Sequence, residues 1–381
     1  MTDTDTTMLL DVARDFAERR VRPEAEGLDE AERFPGEIYD EMAEIGMFGI
    51  TLPEEHGGLG ATHEDFLGLM EVLSSGYAAV ADQTGLVEMV SRLISDLGTD
   101  EQRRAFLEPL LRAELRCAYC LTEPDAGSDL GSARTTAVPD GDGWRLTGEK
   151  IWINNARIAD FGLVLAVTDP QARTRSKMSL FLVDLERDGV ERGPSEHKMG
   201  QRGSVLGNLI FNDVRLEPDD LLGELGGGFP AIMGALDGGR IAIAGLSLGV
   251  ADRALEIAQS YAETRTSFGQ PIGGYQAIAF RLADAATEIR AARLLAHDAA
   301  QRAEDPGASA RCSMAKLYAS ETALRVTDLA VQIHGGAGYV RGFEAERLFR
   351  DARVVTIYEG TSEMQRLVIS RALAKGQALT R

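Results

Sequence analysis

The hydrophobic period of this chain changes twice, and that constrains its architecture more than any single motif. From residue 8 to about 113 apolar residues recur at helical spacing, as in Leu9, Val12, Ala13, Phe16 and Ala17. The run Pro53-Glu54-Glu55-His56-Gly57-Gly58-Leu59-Gly60 interrupts it, and further helices are predicted at about 62–76, 85–97 and 100–113. Thr99-Asp100-Glu101-Gln102 is a cap followed by acids, suited to starting the last of these. At about residue 116 the pattern becomes that of short strands: Cys117–Thr122, Trp144–Thr147, Ile151–Asn154, Phe161–Val167, Ser179–Val183 and Leu209–Val214. Pro139-Asp140-Gly141-Asp142-Gly143 reads as a hairpin connection. Strands without intervening helices predict an antiparallel barrel or sandwich. Beyond the break at Gly223 to Gly228 the helical period returns, over about 229–262, 276–303, 311–334 and 361–375. Long helices with short connections predict an up-and-down bundle. The expected chain is α+β, with an N-terminal α-helical domain (1–115), a middle β-barrel (116–225) and a C-terminal four-helix bundle (226–381).

Composition narrows the partners. The formal net charge is −20, which disfavours nucleic acid and anionic membranes as ligands. No run of about 18 apolar residues suggests a membrane span. Met1 to Thr7 carries two Asp and no Lys or Arg, unlike a secretory or transit leader, so a cytoplasmic protein is expected. Cys117 and Cys120 form a C-x-x-C without a second pair, and read as a buried strand sooner than as a redox or zinc site. The histidines His56, His63, His197, His297 and His334 lack metal spacing, and no metal is expected.

Three stretches carry chemistry. Near the C-terminus, Ile357-Tyr358-Glu359-Gly360-Thr361-Ser362-Glu363 sets an acid between an aromatic ring and a glycine, just before a capped helix. Glu359 is either a solvated turn residue or a carboxylate held in an apolar pocket with a raised pKa, suited to a general base. In the middle block, Thr122-Glu123-Pro124-Asp125-Ala126-Gly127-Ser128-Asp129 ends a strand in a turn that exposes hydroxyls and N–H groups. Downstream, Lys150-Ile151-Trp152-Ile153-Asn154-Asn155 places an indole beside an amide; the indole is either a core anchor or a cover for a planar ligand.

Together these segments resemble the acyl-CoA dehydrogenase family over the whole chain. The match runs in order through Thr122–Asp129, the Trp152 strand, Lys198-Met199-Gly200 with Arg202-Gly203-Ser204, and Arg265-Thr266-Ser267-Phe268-Gly269. It continues through Tyr275-Gln276, Gln332-Ile333-His334-Gly335-Gly336 and Tyr358-Glu359-Gly360-Thr361. The resemblance implies FAD as cofactor. Tyr119, Leu121, Thr122, Gly127, Ser128, Trp152, Ile153 and Asn154 would lie along the flavin. Arg265, Ser267, Phe268, Tyr275 and Gln276 would reach the pyrophosphate and adenosine end across a subunit interface, with Gln332, Ile333, Gly335 and Gly336 closing over it. Thr361 and Glu363 would complete the cofactor contacts. It implies an acyl-CoA substrate held by Ser128, Asp237, Arg240, Tyr358 and Gly360, with Glu359 as the base that takes the α-proton. A homotetramer (a dimer of dimers) and an electron-transfer flavoprotein as electron acceptor are implied as well. The same fold also serves carrier-protein thioesters, oxygen-using oxidases and flavin-free binding members.

Departures from the family pattern are informative. Asn154 stands where Thr or Ser is usual, and altered flavin tuning is expected. Gly239 occupies the position where some members carry their base, so Glu359 has no competitor. Glu88 replaces a small residue near the acyl pocket, and is read as an exposed helix acid or as a contact for a polar acyl group. Asp237 and Arg240 could equally be a helix-surface ion pair. Lacking a long C-terminal extension, the chain is expected to take a short acyl group, straight or branched.

Overall fold

The computed structural model describes residues 3–173 and 176–379; Met1 and Thr2, which open the acidic N-terminal run, lie outside the described residues. The N-terminal part is helical: α1 (Asp3–Phe16), α2 (Ala25–Ala31), α3 (Gly36–Glu44), α4 (His63–Gly76) and α5 (Ala78–Leu97). It ends in α6 (Asp100–Gln102), a π turn and α7 (Glu108–Leu111). Thr62 and Asp65 form a reciprocal capping box that starts α4, and Thr99 with Gln102 does the same for α6. Helix α5 begins seven residues before its predicted start. Ala78, Ala79, Val80 and Ala81 are all buried there, so the segment lacks the polar face by which a helix is recognised.

The middle strands are β1 (Cys117–Cys120), β2 (Thr136–Asp140), β3 (Gly143–Asn154), β4 (Phe161–Val167), β5 (Met178–Asp184), β6 (Val190–Ser195), β7 (Leu206–Leu216) and β8 (Leu221–Leu222). The sheet order is β6-β7-β3-β2-β4-β5-β8, with β1 also on β4. Side chains from β1 to β5 and β7, among them Cys120, Ala137, Leu146, Val164, Phe181 and Phe211, converge on one core, so the sheet wraps round it as a barrel. Two expectations need correction. The strands predicted at Trp144–Thr147 and Ile151–Asn154 are one strand, bent where its register with β7 slips. The sheet is also not purely antiparallel, since β1 and β2 both pair parallel with β4. β1 runs beside the first half of β4 and β2 meets its end, so the turn carrying Thr122 to Ser128 bridges them.

The C-terminal part contains α8 (Gly228–Thr264), the hairpin β9 (Thr266–Ser267) and β10 (Gln270–Pro271), α9 (Gln276–Gln301), α10 (Ala308–His334), α11 (Gly336–Tyr339), α12 (Glu344–Ala352) and α13 (Ser362–Ala374). Helices α8, α9, α10 and α13 form the four-helix bundle. Helix α8 also packs on α4 at glycine contacts: a Cβ at Gly249 would lie 1.9 Å from the Glu71 carbonyl oxygen. That approach merges the N-terminal helices and the bundle into one core. Among the described residues no helix is long and apolar enough to cross a membrane.

Candidate active site

The chain turns sharply between a 3₁₀ turn at Arg353–Thr356 and α13. Glu359 takes φ 51° and Gly360 φ 88°, two consecutive left-handed residues. A non-glycine residue rarely adopts this region without being held there. Two buried side chains hold it. Gln365 Nε2 donates to the carbonyl oxygens of Glu359 (3.1 Å) and Gly360 (2.8 Å), and Lys316 Nζ donates to that of Gly360 (2.8 Å). Thr361 caps α13 by accepting from the Met364 N–H at 3.3 Å.

This elbow aims the Glu359 carboxylate at helix α8. A Cβ placed on Gly239 would lie 2.7 Å from Glu359 Oε2 and 2.8 Å from the sulfur of Met89. Any side chain at 239 would therefore displace the acid. Oε2 is buried and has no hydrogen-bond partner among the described residues. Desolvation pushes the Glu359 pKa up to about 7, opposed by Lys316 and Arg240 and reinforced by Asp82. Burial in turn pulls Lys316 down to about 8. The Tyr119 hydroxyl is another buried group without a partner among the described residues, and Tyr358 accepts from Gln201 Nε2 at 3.3 Å.

A buried ion pair holds the turn after β1. Lys150, with no exposed surface, donates from Nζ to Glu123 Oε1 (2.7 Å) and to the Leu121 carbonyl oxygen (3.1 Å). Glu123 also accepts from the N–H groups of Arg134 (2.6 Å) and Thr135 (3.0 Å). Desolvation works against the Glu123 charge, but Lys150 and these donors outweigh it and hold its pKa below the usual range. Thr122, Gly127 and Ser128 are thus presented on a clamped turn, with open space around Gly127. Trp152 is 61% exposed at φ 54°, beside the bulge in β3, so it is no core anchor.

A second group gathers at one end of the bundle. The rings of Tyr261 and His334 stack 4.4 Å apart, placing the ends of α8 and α10 side by side. Arg265 and the β9–β10 hairpin follow the first, and Gly335 and Gly336 the second. Tyr275 donates from its hydroxyl to the Ser267 carbonyl oxygen at 2.7 Å, bracing the hairpin. Phe268 at its tip is 96% exposed. Gln276 and Gln332 are exposed nearby.

The architecture and these motifs coincide with three matching family descriptions: acyl-CoA dehydrogenase N-terminal domain at residues 3–114, middle domain at 118–214 and C-terminal domain at 226–374. The chain belongs to the acyl-CoA dehydrogenase family. Members are oxidoreductases acting on CH–CH bonds. A caffeyl-CoA reductase–Etf complex subunit, CarC, of Acetobacterium woodii is 43% identical, over 97% of this chain and 98% of that one. A mitochondrial short-chain specific acyl-CoA dehydrogenase of Bos taurus is 42% identical, over 97% and 90%. The structure of butyryl-CoA dehydrogenase from Megasphaera elsdenii superposes with a TM-score of 0.93 at 36% identity, covering 98% of this chain and 99% of that one.

The acyl-CoA dehydrogenase family depends on flavin, and the residues present fit FAD. A planar ring finds an exposed indole at Trp152 and a partnerless hydroxyl at Tyr119. A diphosphate finds Arg265, exposed and with no carboxylate in ion-pair range among the described residues. Other sequence expectations need amendment. Ile153 and Ile333 are buried in the barrel and bundle cores, so their side chains serve packing. Glu88 is neither exposed nor turned to an acyl group: its carboxylate accepts from the N–H groups of Ile50 and Thr51 (2.8 Å each) and from the Thr51 hydroxyl (2.6 Å). Arg240 does pair with Asp237, but it is buried, and Ser309 also donates to Asp237. Thr361 and Glu363 sit in the cap and first turn of α13. Sequence reasoning missed Asp82, Lys316 and Gln365. Lys316 left one trace, as the only charge in the run Cys312-Ser313-Met314-Ala315-Lys316-Leu317.

Proposed function

We propose that this protein dehydrogenates an acyl-CoA thioester between Cα and Cβ to the trans-2-enoyl-CoA, with Glu359 as the base. The observation that carries this is the Glu359 carboxylate, buried, without a partner at Oε2, and poised at a pKa of about 7. Bound FAD supplies the two-electron acceptor for the β-hydrogen. Tyr119, Thr122, Ser128, Trp152 and Asn154 would hold its ring system, and Arg265, Ser267, Phe268, Gln276 and the Gly335–Gly336 turn its diphosphate and adenosine across a subunit contact. Glu359 Oε2 takes the α-proton. The left-handed elbow holds that oxygen at fixed height over α8, and the Glu359 N–H is offered to the thioester oxygen as enolate charge develops.

A group poised near neutrality can return a proton as readily as it takes one, and the Acetobacterium woodii relative is named for reduction. The same residues therefore support enoyl thioester reduction when the flavin arrives reduced. That relative's name also pairs it with Etf, which supports an electron-transfer flavoprotein as this chain's redox partner. The homotetramer and a short acyl chain belong to the same reading, the latter favoured by the short-chain and butyryl-CoA relatives.

The test is anaerobic titration of the holoprotein with straight, branched and aryl-bearing acyl-CoA and carrier-protein thioesters, read by flavin bleaching, and then admission of oxygen. Bleaching by a short-chain thioester that Glu359→Gln abolishes while keeping bound flavin is expected. Near-normal bleaching in that variant sinks the base assignment. Bleaching only with carrier-protein thioesters, or rapid reoxidation by oxygen, redirects the function to those branches.

A further inference from the structure

Asp82 lies on α5 behind Asn154, the residue that stands where the family pattern has a hydroxyl. Asn154 Nδ2 donates to Asp82 Oδ2 at 2.7 Å, and the Ser204 hydroxyl donates to Asn154 Oδ1 at 2.7 Å. An ionised carboxylate only accepts, so the amide nitrogen must face Asp82 and the oxygen must face Ser204. The rung beside it repeats the pattern, with Asn155 Nδ2 donating to Gln83 Oε1 at 2.8 Å. Two consecutive amides at the end of β3 thus lock onto two consecutive residues of α5. Nδ2 of Asn154 keeps a second hydrogen that Asp82 does not use.

We propose that Asp82 is a positioning residue of the flavin site: it fixes the Asn154 amide with its free N–H available to the ring, and its carboxylate sets how readily the ring is reduced. The inference rests on the flavin-dependent reading above. Three further observations support it. The residue keeps some solvent contact, yet desolvation pushes the Asp82 pKa up to about 6, so the carboxyl is poorly hydrated. Its charge is felt at both Tyr358 and Glu359, which places it at the same pocket. Lys198 is the cation facing it, but desolvation outweighs that charge and the side chains of Asn154 and Ser204 together, so the negative charge is only partly offset. A hydroxyl at position 154 would need no such anchor, whereas an amide can flip and must be pinned.

The Asn154 amide links the Asp82 carboxylate to the ring, so the negative charge opposes reduction chiefly through the hydrogen bond it polarises and orients, and removing it favours reduction. The experiment measures the two-electron midpoint potential of the FAD-loaded protein at pH 8, by dye equilibration without acyl-CoA. It compares the wild type with Asp82→Asn, Asn154→Thr and the double variant. Asp82→Asn should favour reduction at least tenfold, about 30 mV for a two-electron couple. In the Asn154→Thr background the same substitution should shift the potential by less than half as much. A smaller shift in the native background, or an equal shift in both, overturns the proposal. Should Asp82→Asn fail to fold, Asp82→Ser takes its place with the same thresholds. Because no thioester is used, a protein that holds FAD but is not bleached by acyl-CoA refutes the dehydrogenase reading without touching this result. Failure to bind FAD overturns both.

Discussion

Replacing Lys316 by Met tests the electrostatics of Glu359, the proposed base. The ammonium donates to the Gly360 carbonyl oxygen and is the strongest influence opposing the desolvation of Glu359. Gln365 bonds that same carbonyl oxygen, so the elbow keeps a donor after the substitution, and the change isolates the charge. A neighbouring opposite charge shifts a carboxyl pKa by about 1–3 units; taking the low end, Lys316→Met moves Glu359 from about 7 to about 8. At pH 7 the ionised fraction then falls from about one half to about one tenth, a loss of about fivefold in base and about 1.4 kcal/mol per unit. The base must be ionised to act, so the acidic limb of the rate profile moves upward. The gap should close above pH 9, where Glu359 is ionised in both proteins. There the wild-type ammonium, lowered to about 8, has also lost its proton. Stopped-flow flavin bleaching at saturating thioester between pH 6 and 9.5 reads this directly. An acidic limb that stays in place or moves downward refutes the assignment of Lys316 as the counter-charge.

Glu359→Gln should stabilise the fold while abolishing bleaching. The folded pKa is raised, so the stability of the protonated acid is present below about 4.5 and lost as pH rises through about 7. The variant should exceed the wild type by on the order of 2 kcal/mol at pH 8 and match it at pH 4.5 in calorimetry; equal stability at pH 8 contradicts the buried-charge account. Lys150→Met leaves Glu123 buried without its cation and should cost about 3–5 kcal/mol in urea unfolding, with weaker FAD retention because the 122–128 turn loosens. An unchanged urea midpoint argues that the pair is dispensable. Glu88→Ala strands the N–H groups of Ile50 and Thr51 and should cost about 2–3 kcal/mol, with faster hydrogen exchange at those two amides. Exchange that stays slow at both would show that another group had taken them.

The α, β, α order was legible because each block has its own period, and the helix start at Thr99 was legible because caps are local. Glu88 was misplaced for a reason that applies to α5 as a whole. The helix is buried against α4, α8 and β1 at once, so the rule that a charged residue marks a solvent face fails there. What Glu88 satisfies lies 37 and 38 residues away, on a loop no periodicity connects to it. Asp82 and Lys316 were missed likewise, as charges inside helices whose partners come from distant segments. Glu359 shows the limit most sharply. Its left-handed backbone is set by Gln365 and Lys316, and the space for its carboxylate by the hydrogen that Gly239 carries in place of a side chain, 120 positions earlier. Sequence patterns register the atoms a residue adds, and a pocket depends equally on atoms left out. Gly239 matters to the site because even a methyl group there would meet Oε2 at 2.7 Å and push the Glu359 carboxylate off its line.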